Sequence, residues 1–147
     1  MVKKGAGEPM YGKYRHSVDG KGRLFVPAKL REELGDSFFV TIGLDRCLSV
    51  YTQAGWQAIL DRAQALPMSQ AKKLRFLFAN AAQCEPDKQG RFLIPTELRQ
   101  YAGLSQDVLF LGQGASGEIW DAATYDAMEA ETLSPAYMEQ TLEELGF

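Results

Sequence analysis

Val18-Asp19-Gly20-Lys21-Gly22-Arg23-Leu24-Phe25-Val26-Pro27-Ala28-Lys29-Leu30-Arg31 is written twice in this chain. The second writing, 68 residues on, is Pro86-Asp87-Lys88-Gln89-Gly90-Arg91-Phe92-Leu93-Ile94-Pro95-Thr96-Glu97-Leu98-Arg99. Asp, Gly, Arg, Pro, Leu and Arg recur in register, and Phe25-Val26 falls on Leu93-Ile94. Gly and Pro impose fixed backbone demands, so their coincidence reflects repeated structure and not composition. The match extends outward. Gly35 falls on Gly103; past a slip of one residue Val50-Tyr51 falls on Ile119-Trp120, and Trp56 on Tyr125. A repeat of this kind sets the architecture before any other signal. It divides the chain into an N-terminal extension (1–12), a first unit (13–66), a linking helix (67–80), a second unit (81–132) and an acidic C-terminal helix (133–147).

Each unit has the same local grammar. Tyr14 to Val18 predicts a strand, Gly20-Lys21-Gly22 a turn with glycine where positive φ is needed, and Leu24-Phe25-Val26 a second strand. Pro27 stops that strand because it has no N–H for a sheet ladder, and it opens a short helix that Gly35 closes. Phe38–Ile42 and Cys47–Tyr51 predict two further strands. Thr52 then caps a helix whose apolar face is Trp56, Ile59, Leu60 and Ala63. After Pro67, Ser69 is expected to cap the linking helix, with Leu74, Leu77, Phe78 and Ala81 inward and Lys72, Lys73 and Arg75 outward. The second unit repeats the order, with strands near Gln83, at Phe92–Ile94, Val108–Leu111 and Glu118–Trp120, and a helix capped by Asp121. Ser134-Pro135 starts the last helix, with Tyr137, Met138, Leu142 and Leu145 on one face. Four short strands cannot bury both their faces alone. The expectation is therefore one α+β domain, in which two units interleave into a single β-barrel with pseudo-two-fold symmetry, flanked by short helices.

Composition narrows the function. The chain has 147 residues, 46% hydrophobic and 24% charged, which is ordinary for a globular domain with a packed core. Cys47 and Cys84 form no C-x-x-C pair and no zinc spacing, and His16 is the single histidine, so no metal site and no cofactor is expected. The thiols fit a reduced, cytoplasmic chain. No apolar run approaches the roughly 20 residues of a membrane span, and Met1-Val2-Lys3-Lys4-Gly5 has the basic end of a signal peptide without an apolar segment behind it.

Charge is distributed unevenly along the chain. Net charge is −3, but residues 1–31 carry +6, residues 32–103 cancel, and residues 104–147 carry −9 with no Lys or Arg. Fields are screened beyond roughly 8–10 Å, so local charge decides contact with a polyanion. The basic head keeps nucleic acid open as a partner; a solvated charged surface reads equally well from charge alone.

No catalytic set emerges. One Asp per half is also the layout of aspartic proteases, but Gly20-Lys21 and Lys88-Gln89 follow the two aspartates where that class has Thr or Ser and then Gly. An Arg four residues after each Asp would also keep it ionised. There is no Ser/His/Asp set, P-loop or dinucleotide fingerprint. His16 reads as a strand surface residue.

The two D-x-x-G-R turns, each followed by an apolar run and Pro, resemble the AbrB-like (SpoVT-AbrB) DNA-binding unit, which carries a similar V-D-x-x-G-R-apolar-P-x-x-L-R-x-x-L-G run in a swapped-hairpin barrel. Two such units in one chain, with the linking helix and the Gly112-Gln113-Gly114 stretch before Glu118-Ile119-Trp120-Asp121, resemble the MraZ family. The likeness spans Met10 to about Met128; the first nine residues precede the family's usual start. It implies a bacterial, cytoplasmic, nucleoid-associated transcriptional regulator of the division and cell-wall gene cluster. It also implies a ring-like homo-oligomer that binds G-rich direct repeats in promoter double-stranded DNA, with no membrane partner.

Roles follow on the matching residues. A Lys and an Arg on a tight glycine turn can reach phosphates or a base edge, and Arg bidentate to guanine is the commonest specific contact. Arg23 is expected to read a base, with Lys21, Arg15 and Lys13 on phosphates. The plainer reading is that each Asp pairs with the Arg four residues on and pins its hairpin. Asp19, Gly22 and Pro27 in the first unit and Asp87, Gly90, Arg91 and Pro95 in the second are assigned to the motif's structure, more so in the second, where Gln89 replaces Lys21. Arg31 and Arg99 read as structural partners of acids or helix carbonyls. Head-to-tail contacts in a ring would place identical hairpins in one orientation, which suits direct repeats. A protein-interaction ring without a DNA role and an antitoxin-type regulator are the alternatives.

Overall fold

A computed structural model describes residues 9–147 of the chain. The expected extension, with Lys3 and Lys4, lies outside the described residues up to Glu8; from Met10 the chain is already strand. Eight strands form: β1 (Met10–Ser17), β2 (Arg23–Phe25), β3 (Phe38–Ile42), β4 (Leu48–Thr52), β5 (Ala82–Cys84), β6 (Arg91–Leu93), β7 (Asp107–Gly114) and β8 (Gly117–Asp121). Six of them make one antiparallel sheet in the order β1-β7-β8-β4-β3-β5, and β2 and β6 make a separate antiparallel ribbon.

The interleaving is visible in that order. Exchanging each strand of the first unit for its counterpart in the second turns the sheet into itself, read backwards. β1 pairs with β7, β5 with β3, β4 with β8 and β2 with β6, so each of these pairings joins one unit to the other. Neither unit could keep this sheet alone. The expected closed barrel is not what forms: the sheet is open and ends at β1 and β5. Proline supplies a physical reason. Pro27 and Pro95 stand one residue beyond the ends of β2 and β6, after Val26 and Ile94, and have no N–H to carry the short ladder further toward the sheet edges.

Leu24, Phe38, Val40, Phe92, Ile94 and Phe110 are fully buried at the centre, with the Phe38 and Phe92 rings edge to face at 5.0 Å. A smaller cluster of Cys47, Leu109, Leu111 and Trp120 lies beneath Tyr125 and Met128. These come from α6 (Ala122–Thr132), one of seven α-helices among the described residues. The others are α1 (Arg31–Leu34), α2 (Gln53–Gln64), α3 (Met68–Ala71), α4 (Arg75–Ala79), α5 (Thr96–Tyr101) and α7 (Pro135–Glu144). Helix starts follow the expected chemistry. Thr52 Oγ1 accepts from the Gly55 amide at 3.0 Å, Asp121 Oδ2 from the Thr124 amide at 3.2 Å and Ser134 Oγ from the Tyr137 amide at 3.1 Å. No described helix is long and apolar enough to cross a membrane.

The linking segment differs from the continuous helix expected. It consists of α3, a 3₁₀ turn at Lys72–Leu74, and α4. Its first turn closes on the Pro67 carbonyl, which accepts from Gln70 and Ala71 at 2.9 Å, so Pro67 and not Ser69 is the capping position. Tertiary contacts explain the break. Thr41 donates its hydroxyl to the Leu77 carbonyl at 2.7 Å, and Phe78 meets the Trp56 ring edge-on at 5.6 Å, which draws the last turn onto β3 and α2. Leu74, Leu77 and Phe78 are half-buried, and Lys72, Lys73 and Arg75 are exposed, as their spacing predicts.

Candidate nucleic-acid interface

The two D-x-x-G-R turns are built identically. The Asp19 amide donates to the Arg23 carbonyl at 2.9 Å and the Gly22 amide to the Asp19 carbonyl at 3.0 Å. Asp19 Oδ1 accepts from the Lys21 and Arg23 amides, both at 2.9 Å, and Oδ2 accepts from Arg23 Nε at 2.8 Å. In the second unit Asp87 Oδ1 accepts from the Gln89 and Arg91 amides at 2.9 Å, and Oδ2 from Arg91 Nε at 3.0 Å. The backbone amide of Arg23 does most to hold the Asp19 carboxyl below its ordinary value of 3.8, and that of Arg91 does the same for Asp87. The turn glycines sit at φ of 83° for Gly22 and 85° for Gly90, a region closed to most side chains.

Each turn is also closed from above by the other unit. Arg99 of the second unit lies over Gly22, where an added Cβ would stand 2.6 Å from its guanidinium carbon, and Arg31 of the first lies over Gly90, at 2.8 Å from Nη2. Arg99 Nη2 donates to Thr96 Oγ1 at 2.9 Å and Arg31 Nε to the Val26 carbonyl at 3.3 Å. Pro27 and Pro95 end the ribbon strands and open the following turns, the Pro27 carbonyl accepting from Leu30 and that of Pro95 from Arg99.

The ribbon register brings the two turns together. Arg23 lies opposite Leu93, Leu24 opposite Phe92 and Phe25 opposite Arg91. The Val26 amide donates to the Gly90 carbonyl at 2.8 Å and the Ile94 amide to the Gly22 carbonyl at 2.9 Å. Leu24 and Phe92 point into the core, so Arg23, Phe25, Arg91 and Leu93 share the outer face, with Phe25 40% and Leu93 57% exposed. Each aspartate binds only the Nε edge of its arginine. The Nη groups of Arg23 and Arg91 have no hydrogen-bond partner among the described residues.

A model of the family described as "MraZ protein, putative antitoxin-like" matches residues 10–78 and again residues 77–145. The chain belongs to the MraZ family. It is 45% identical over 131 residues to "Transcriptional regulator MraZ" of Heliobacterium modesticaldum, a stretch covering 87% of this chain and 91% of that one. The proteins of the same name from Carboxydothermus hydrogenoformans and Caldicellulosiruptor bescii are 49% and 43% identical. Those matches cover 74% and 93% of this chain and 78% and 99% of theirs. The two matched MraZ units meet at residues 77–78, inside α4.

The remaining candidate cations all lie in the first MraZ unit. Lys21 is exposed at the tip of the first turn, its ammonium in no ion pair among the described residues. Lys13 and Arg15, on β1, are engaged by α6. Lys13 Nζ donates to Glu129 Oε1 at 2.9 Å and Arg15 Nη2 to both oxygens of Asp126 at 2.7 Å. The bond from Lys13, then that from Tyr125, holds the Glu129 carboxyl below its ordinary value. The basic head and acidic tail of the sequence thus meet in space and partly cancel. His16 lies 6.3 Å from the Phe25 ring; burial, then the Arg31 charge, lowers its pKa. Burial pushes the Cys47 and Cys84 thiols up to about 12, so both stay protonated at neutral pH. Sequence reasoning missed the outward apolar pair Phe25 and Leu93 and the cross-unit roles of Arg31 and Arg99. Alternation about the inward Leu24 and Phe92 carried the signal for the first two.

Proposed function

We propose that the chain is a DNA-binding transcription regulator of the division and cell-wall gene cluster. In this reading it acts in the cytoplasm at the nucleoid, as a ring-like homo-oligomer on G-rich direct repeats of promoter DNA. The observation that carries the reading is the outer face of the β2–β6 ribbon. There two arginines, each held side-on by its own aspartate, have Nη edges without a hydrogen-bond partner among the described residues, on turns whose aspartates already hold the Lys21, Arg23, Gln89 and Arg91 amides. A guanidinium oriented in advance loses less freedom on binding, and its free edge suits guanine O6 and N7. Arg23 then reads a base and Lys21 contacts phosphate. Asp19 is the orienting group and is shielded from the DNA by its own arginine. Lys13 and Arg15 join by exchanging a carboxylate for a phosphate, which costs little because both cations are exposed to water and their pairs are screened. The ribbon is, in this reading, the swapped-hairpin element of an AbrB-like unit, laid over an open sheet. Names of similar proteins as transcriptional regulators support the class of function.

The test is fluorescence anisotropy on the promoter fragment upstream of the chain's own gene, against a scrambled duplex, across salt. Binding is expected to prefer the promoter and to fall steeply with salt, with a slope implying several phosphates. Arg23→Ala is expected to lose about 1–3 kcal/mol of discrimination. A folded, oligomeric Arg23→Ala chain with undiminished promoter affinity would remove the base-reading role. Equal weak binding to both duplexes would remove the regulator reading.

A further inference from the structure

Among the described residues, little packs on the last helix. α7 has ten residues, nine of them exposed and Thr141 half-buried. Its Tyr137, Met138 and Leu142, with Leu145 just beyond, form an apolar face open to solvent, Leu142 51% and Leu145 68% exposed. A helix this short is marginal in water without packing, so this face calls for a cover. A second surface has the complementary character. Around the linking segment Leu66, Met68 and Phe76 are exposed apolar residues, Met68 at 81%, and they flank the exposed cations Lys72, Lys73 and Arg75. No acid occurs from residue 63 to residue 84, and no Lys or Arg from 104 to 147.

We infer that α7 of one copy of the chain docks on the linking segment of the next. Charge selects this pairing over the others. Two α7 helices face to face would bring Glu139, Glu143 and Glu144 of both copies together with no cation nearby, and two linking segments would oppose three cations with three. α7 against the linking segment joins apolar to apolar and acidic rim to basic rim. The contact is heterologous, so each copy offers one donor and one acceptor face, and successive copies run head to tail. The inference rests on the self-association reading above and names its surfaces.

Sedimentation velocity on the full chain tests it. M138D/L142D disables the donor face, and K72E/K73E/R75E the acceptor face; all five positions are exposed, and circular dichroism checks the fold of each variant. Each variant alone is expected to sediment as a single chain. An equimolar mixture is expected to form a two-chain species and nothing larger, because each partner retains one competent face. Adding E139K/E143K/E144K to the acceptor variant is expected to restore assembly. If the wild-type chain assembles but either folded variant keeps its mass, or the mixture stays monomeric, the inference fails and the self-association reading stands. A wild-type chain that is monomeric at tens of micromolar overturns both. An acceptor variant that loses DNA affinity while keeping its mass assigns the cations to phosphate and overturns the inference.

Discussion

At Asp19 one carboxylate fixes a whole turn. Its two oxygens take the Lys21 and Arg23 amides and the Arg23 side chain. The spacing of the motif follows from this: an acid to accept, glycine at positive φ three residues on, and an arginine next whose side chain folds back. Gly22→Ala tests the backbone part. Forcing an L-residue into the left-handed region costs about 1–2 kcal/mol, and the Arg99 guanidinium above it is the movable end of a side chain. Thermal melting is expected to fall by about 2–8 °C, with a similar shift for Gly90→Ala. An unchanged melting temperature in both would contradict the turn assignment. The turn chemistry was legible residue by residue, because every partner lies within four positions. The packing of Arg99 over Gly22 was not, because nothing local joins positions so far apart.

Between strands, β1 and β7 run close together. Gly112 lies opposite Gly12, and a Cβ there would strike the backbone of Met10 and Tyr11. Backbone cannot yield as a side chain end can. Gly112→Ala is therefore expected to cost more than Gly22→Ala, by chemical denaturation, and to release β1 first, seen as faster amide exchange at Lys13–His16. Helix ends are weaker contributors. Thr52→Ala removes the acceptor for the Gly55 amide and is expected to lower stability by about 1 kcal/mol in the same denaturation assay. Strand and helix types followed from alternation, prolines and caps. The linking segment did not, since its pattern fits a continuous helix while Thr41 and Trp56 hold its last turn in another place.

Across the molecule, charge links the tail to the head. Asp19, Asp87 and Glu129 all sit below their ordinary values of 3.8 to 4.5, chiefly through hydrogen bonds to the charged form. A carboxylate lowered on folding stabilises above its unfolded pKa and loses that contribution as pH falls through the folded value. Stability is thus expected to be flat in these groups above about pH 5 and to drop below pH 4. Glu129→Gln should flatten the acid limb in urea titrations. A limb as steep as the wild type's would show that the Lys13–Glu129 pair contributes nothing to it. The sequence by itself determined the duplication, the element types, the turn chemistry and the need for two units to share a core, because glycine, proline and apolar period are local physical demands. Only the tertiary structure decided that the sheet stays open, that Arg23 and Arg91 share one face, and that Lys13 and Arg15 meet α6. Each of these depends on strand register between distant segments, which is set by packing across the whole core.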